Sequence, residues 1–196
     1  RRTTMAQAGD QSPRVKGALL GARLTFVRER GGDKALGKVL ARLPPPDREV
    51  LGGWILPTTW YPLDLAQRLD DAIARVLSPG DRGRIFLEMG RQSAQASLTG
   101  AEAPFVKAGD PHFFLANVPR MYATHHSRGR RTYQRTGDAS AVIRTFDAER
   151  VSQDDCLTVV GWLERALQLS GAAAPRVTES SCRSGGAPHC EYRCEW

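Results

Sequence analysis

Residues 129–146 read GRRTYQRTGDASAVIRTF, and this stretch decides the fold. Arg131 to Arg135 and Ser140 to Phe146 alternate in polarity with a period of two, and the turn residues Thr136-Gly137-Asp138 lie between them. That is the signature of a β-hairpin. A second hairpin follows at the C-terminus, where Arg176 to Arg183 and His189 to Trp196 flank Ser184-Gly185-Gly186. Between the two, Cys156 to Leu169 places Leu157, Val160, Leu163, Ala166 and Leu167 on one helical face, and Ser170-Gly171 ends it. Two hairpins flanking a helix predict an antiparallel sheet of about four strands, near 130–136, 140–146, 175–183 and 189–196.

The residues before this module read as helical. Val15, Leu19, Leu20, Leu24 and Val27 make one stripe that stops at Gly31-Gly32, and Asp33 caps a second helix through Leu43, ended by Pro44-Pro45-Pro46. An irregular stretch with Trp54 and Trp60 leads to a helix opened by Pro62 and carrying Leu65, Leu69, Ile73, Val76 and Leu77. A further helix spans about Arg82 to Leu98, where Gly90, Ser93, Ala94 and Ser97 would let another backbone approach closely. Helical material continues through Asp110 to about His126, broken at Pro119. The fold class expected is α/β (α+β), a helical N-terminal half packed with an antiparallel sheet. Residues 1–13 read as a loose tail, the first four a vector remnant, and 14–196 as a single domain.

The 196 residues carry a net charge of +7 with 41% hydrophobic and 25% charged residues, which excludes a disordered or fibrous chain and favours acidic partners. No apolar run reaches the roughly 18 residues of a membrane span, so a cytoplasmic protein with no transmembrane segment is expected. All four cysteines lie from Cys156 onward. In a reducing compartment they are thiols or metal ligands rather than disulfides.

Cys156, then after four intervening residues Gly161-Trp162, and then Cys182 and Cys190 within the last hairpin form a pattern that resembles the 4-vinyl reductase domain, whose fold is shared with TRAPP vesicle-tethering subunits. The resemblance implies a TRAPP-like fold and places Cys156, Cys182 and Cys190 where phenol-responsive sensor domains hold a structural zinc beside a ligand pocket. The chain is also similar, through Trp60-Tyr61-Pro62-Leu63, Gly90-Arg91 with Ala94, Asp110-Pro111 and Gly129-Arg130-Arg131, to an uncharacterised family of about 200-residue paralogous myxobacterial proteins. Cys194 sits four residues beyond Cys190 on one strand, about 13 Å away, too far to share an ion whose Zn–S bonds are about 2.3 Å. His125, His126 and Asp138 stand as candidates for a fourth ligand. The same three cysteines also suit small buried apolar positions without metal.

A ligand pocket on this fold would draw on Phe105, Phe113, Phe114, Tyr122, Tyr133, Phe146 and Trp162, which equally suit an ordinary core. Arg128, Arg130 and Arg131 belong to a strip without acidic residues that suits an acidic protein or anionic surface, whereas the absence of any nucleic-acid-binding signature speaks against nucleic acid. His112, His125, His126 and His189 lack a motif that would place them beside a nucleophile, so an enzyme is not expected. Two functions fit. One is a sensor-like domain binding a small apolar or aromatic molecule, with a structural zinc. The other is an interaction scaffold that self-associates through its helices as a homo-oligomer, a dimer in the simplest case.

Overall fold

The computed structural model describes residues 12–148 and 152–196; most of the expected tail, residues 1–11, lies outside the described residues. The chain is a mixed α+β structure. Its elements run β1 (Arg14–Lys16), α1 (Gly17–Ala41), α2 (Pro45–Gly52), β2 (Trp60–Pro62), α3 (Leu63–Leu77), α4 (Arg82–Leu98), α5 (Pro111–His125), β3 (Arg130–Gly137), β4 (Ser140–Phe146), α6 (Gln153–Leu169), β5 (Arg176–Ser181) and β6 (Cys190–Glu195). Strands β3–β4–β6–β5 form one antiparallel sheet in that spatial order. Both expected hairpins are present, with a register shift in β3 between Arg135 and Gly137 and another in β5 between Glu179 and Ser181.

Helix starts follow local chemistry. The Asp81 carboxylate accepts from the Arg84 amide at 3.0 Å, and that of Asp110 from the Phe113 amide at 2.9 Å, each satisfying an otherwise orphaned first-turn donor. At α6, Ser152 and Asp155 form a reciprocal capping box.

Four elements depart from expectation. The stop at Gly31-Gly32 is a kink inside α1, where Gly32 takes φ 66° and helix resumes beyond it. Pro44-Pro45-Pro46 not only ends α1 but starts α2, because proline suits a first helical turn. Arg48 anchors that start by donating to the carbonyls of Leu40 and Leu43, both at 3.2 Å. Pro119 does not break α5: Leu115, Val118, Met121 and Tyr122 are buried on one face. Burying such side chains is worth about 1.5–3 kcal/mol each, enough together to offset the roughly 3 kcal/mol of an interior proline. The small β1–β2 ribbon was not foreseen; it pairs Val15 with Tyr61.

Two packed regions result. Leu20, Leu24 and Val27 of α1 share a core with Leu65, Leu69 and Ile73 of α3 and with Phe86 and Met89 of α4. Ala141, Ile143, Val177 and Tyr192 of the sheet pack with Leu115 of α5 and with Leu163 and Leu167 of α6. Helices α4 and α6 join the two regions through Gly90 and Gly161, whose missing side chains admit each other's backbone. Among the described residues, no helix is long and apolar enough to cross a membrane.

Candidate functional site

A cavity of about 500 Å³ opens where α1, α4 and α5 meet the inner face of the sheet. Its helical walls are built from small and apolar residues, among them Ala18, Leu19, Ala22, Val118, Met121 and Trp162, while Thr145, Cys190 and Tyr192 come from the sheet. Arg14, Arg128 and Arg131 contribute cationic groups.

Charge inside the cavity is held in place by pairing. Arg23 donates Nε–H to Asp70 at 3.1 Å, with both residues buried. Burial pushes the Asp70 carboxyl above the usual range despite Arg23, and it does the same to Asp155. His125 sits with Nε2 2.7 Å from Glu102, and its buried Nδ1 has no partner among the described residues. His126 stacks on Tyr122 with ring centroids 4.2 Å apart and 5° between planes. Its Nδ1 faces the Tyr122 carbonyl at 3.3 Å, so that nitrogen carries the hydrogen and Nε2 keeps its lone pair. Burial, helped by Arg131, drives the His126 pKa down to about 3, so the ring is neutral at physiological pH. Arg131 lies 4.8 Å from the Tyr122 ring and donates Nε–H to Thr145 Oγ1 at 3.1 Å.

A thiol cluster lies beside this cavity. Cys156, in the first turn of α6, has its Sγ 3.5 Å from Cys182, just past β5, and 3.6 Å from Cys190, the first residue of β6. The cysteines are free. A carboxylate oxygen of Glu179 joins them, and the four donor atoms all lie within 4.8 Å of one another. The Cys190 sulfur also accepts the Arg183 amide at 3.3 Å, and the bond donated by Cys156 holds its pKa below the ordinary thiol value.

Residues 55–196 match a family described as protein of unknown function (DUF2378). The chain belongs to that family. No curated protein matches this DUF2378 chain. Solved structures similar to it are H-NOX domains. The Fe(II) unliganded H-NOX mutant from K. algicida is 11% identical with a TM-score of 0.71 and covers 92% of this chain and 95% of its own. An H-NOX mutant from S. oneidensis in the Fe(II) state is 16% identical with a TM-score of 0.70 over 92% and 95%. An oxygen-binding H-NOX domain related to soluble guanylate cyclases is 15% identical with a TM-score of 0.67 over 92% and 94%. At these identities the likeness is one of fold. The assignment to the 4-vinyl reductase domain is corrected: the matching family is another, and the chain's path is that of H-NOX domains. Three cysteines and a Gly-Trp pair on a helix and a hairpin are a local pattern, too short to report the path of the whole chain.

In this DUF2378 chain the expected site residues divide. Of the aromatic set, Tyr122 and Trp162 line the cavity. Phe114 is fully buried behind Trp162, its ring centroid 5.4 Å away. Phe105 packs under the Arg120 guanidinium, Phe113 is 40% exposed, and Phe146 lies against Arg130 and His189. Tyr133 is bound to His112, its hydroxyl 2.8 Å from Nδ1. The arginine strip is also divided, since Arg130 points to solvent while Arg131 turns inward onto Tyr122 and Thr145. Cys156, Cys182 and Cys190 converge, but His125, His126 and Asp138 are not among the donors beside them. Glu179 was missed. Its one sequence signal is a carboxylate three residues before Cys182 on an apolar-facing strand.

Proposed function

We infer that this chain is a non-catalytic, sensor-type binding domain whose cavity takes heme. The observation that carries the reading is His126: a neutral imidazole, anchored through Nδ1, lining an apolar cavity of about 500 Å³. Imidazole with one nitrogen tied to a backbone carbonyl and the other unprotonated is the usual form of a histidine that ligates a metal.

The other donors suit the same group. The porphyrin's flat apolar body matches walls of alanine, leucine, valine and methionine, and its carboxylates match Arg14, Arg128 and Arg131. When bound, heme would supply an iron able to take up small diatomic molecules. The protein's own part would be to hold the iron through His126 Nε2, to neutralise the carboxylates by arginine and to exclude water from the apolar walls. Support also comes from the fold, because structures that share it concern an oxygen complex, an Fe(II)NO state and heme redox potential modulated by porphyrin distortion. This replaces the purely apolar or aromatic ligand expected from the aromatic set, of which two members line the cavity.

Titrating hemin, and heme under reducing conditions, into the purified chain tests the reading by absorption spectroscopy. One equivalent should produce a sharpened, shifted Soret band, and His126→Ala should alter that band and weaken binding. A wild-type chain that takes up no heme, or a His126→Ala variant with the wild-type spectrum and affinity, overturns it.

A further inference from the structure

We propose that Cys156, Glu179, Cys182 and Cys190 form a closed four-donor centre for a divalent ion of the zinc type, separate from whatever the cavity binds. The first observation is distance. Tetrahedral zinc with Zn–S bonds of about 2.3 Å sets neighbouring sulfurs about 3.8 Å apart. The measured separations of 3.5 and 3.6 Å from Cys156 are within a few tenths of an ångström of that edge, so an ion enters with a small outward shift of side chains.

The second observation is independent of the sulfurs. Glu179 Oε1 is buried and has no hydrogen-bond partner among the described residues. No ion pair to Glu179 is formed among the described residues either, although the carboxylate is turned into the thiol cluster. Buried acceptors are nearly always satisfied, and a cation held by the three thiolates would satisfy this oxygen.

The third observation concerns alternatives within the cluster. Cys156 stands at nearly equal distance from Cys182 and Cys190, so one disulfide would leave the third thiol and Glu179 without a partner. Cys194 does not belong to the group; it is buried opposite Ala141 and Val177.

Three thiolates and one carboxylate fill all four tetrahedral positions, which is the pattern of a structural site rather than a catalytic one. The ligands come from α6, from β5 and its exit, and from β6, so the ion staples the helix start to the last hairpin. Cys156 and Cys190 also line the cavity, and the centre therefore fixes part of its wall.

Elemental analysis of the chain purified without chelator tests this, together with a Co(II) titration of the metal-free chain. About one zinc per chain is expected, and Co(II) should give the visible bands of a tetrahedral ion with thiolate-to-metal charge transfer. Glu179→Gln should keep the charge-transfer band but weaken binding by at least the roughly 10- to 100-fold that loss of an outer-sphere partner produces. Glu179→Cys should restore tight binding with a stronger sulfur band, and Cys194→Ser should leave uptake unchanged. The proposal is overturned if the wild-type chain holds no zinc and gives no thiolate band with Co(II), or if Cys194→Ser removes the ion while Cys156→Ser does not. Both wild-type measurements stand even if a cysteine variant fails to fold.

Discussion

Gly90 of α4 and Gly161 of α6 each admit the backbone of the other's helix: a Cβ on Gly90 would lie 2.1 Å from the Thr158 carbonyl oxygen, and one on Gly161 would lie 2.1 Å from that of Leu87. Both obstacles are backbone, which cannot rotate away. Gly90→Ala and Gly161→Ala should each destabilise the chain by about 1–3 kcal/mol or more through overpacking. Gly21, inside α1, has nothing within 4 Å of the same position, and Gly21→Ala should stabilise by roughly 0.4–1 kcal/mol. Chemical denaturation of the three variants checks the contrast, and equal effects at Gly90 and Gly21 would refute the close approach.

The half-buried imidazole of His126 makes stability depend on pH. Its folded pKa of about 3 lies below the ordinary 6.5. Between those values the unfolded chain binds a proton that the folded chain does not, so the contribution is complete above about pH 6.5 and is lost as pH falls toward 3. The slope approaches roughly 1.4 kcal/mol per pH unit for one group. Urea midpoints measured from pH 7 to pH 4 should fall less steeply in His126→Gln. Parallel curves for the variant and the wild type would place the titration elsewhere.

Neighbouring arginines should differ. Arg130 has a 60% exposed side chain that lies over the Phe146 ring at 4.2 Å and makes a long contact to Asp147 at 3.8 Å, so Arg130→Ala should change stability by no more than about 0.5–1 kcal/mol. Arg131→Ala removes both the bond to Thr145 and the cation over Tyr122, and should cost about 1–2 kcal/mol. Thermal melts of the two variants decide between this division and a uniform solvated strip.

The sheet was legible because alternation and turn chemistry act locally: Thr136-Gly137-Asp138 and Ser184-Gly185-Gly186 mark the hairpins wherever the rest of the chain goes. Pro119 was misread because the local rule against proline is outweighed by the buried face from Leu115 to Tyr122, a tertiary effect. The cavity was sought among aromatic residues, yet its walls depend on smallness at Ala18, Ala22 and Ala96, and empty space has no residue type of its own. Its histidine was weighed as a partner of the cysteines and as a partner for a nucleophile, since adjacency of His125 and His126 says nothing about which ring nitrogen each leaves free. The three cysteines were grouped through a resemblance to another domain, whereas Glu179 joins them only through strand register.

That register shift in β5 determines which side chains act together. Glu179 stands opposite Tyr192, but Ser181 stands opposite Glu191, so two steps along β5 match one along β6 and Ser180 is the supernumerary residue. In an unbroken strand, residues 179 and 182 differ by an odd number and face opposite sides of the sheet. The extra residue changes the parity, which brings Glu179 and Cys182 onto the side shared by Tyr192 and Cys190. Ser180, which contributes no donor atom to the cluster, is thus absorbed by the bulge: its deletion would leave Glu179 and Cys182 two places apart in a regular strand and still on one side of the sheet, whereas a regular strand that kept it would put the carboxylate and the thiol on opposite sides.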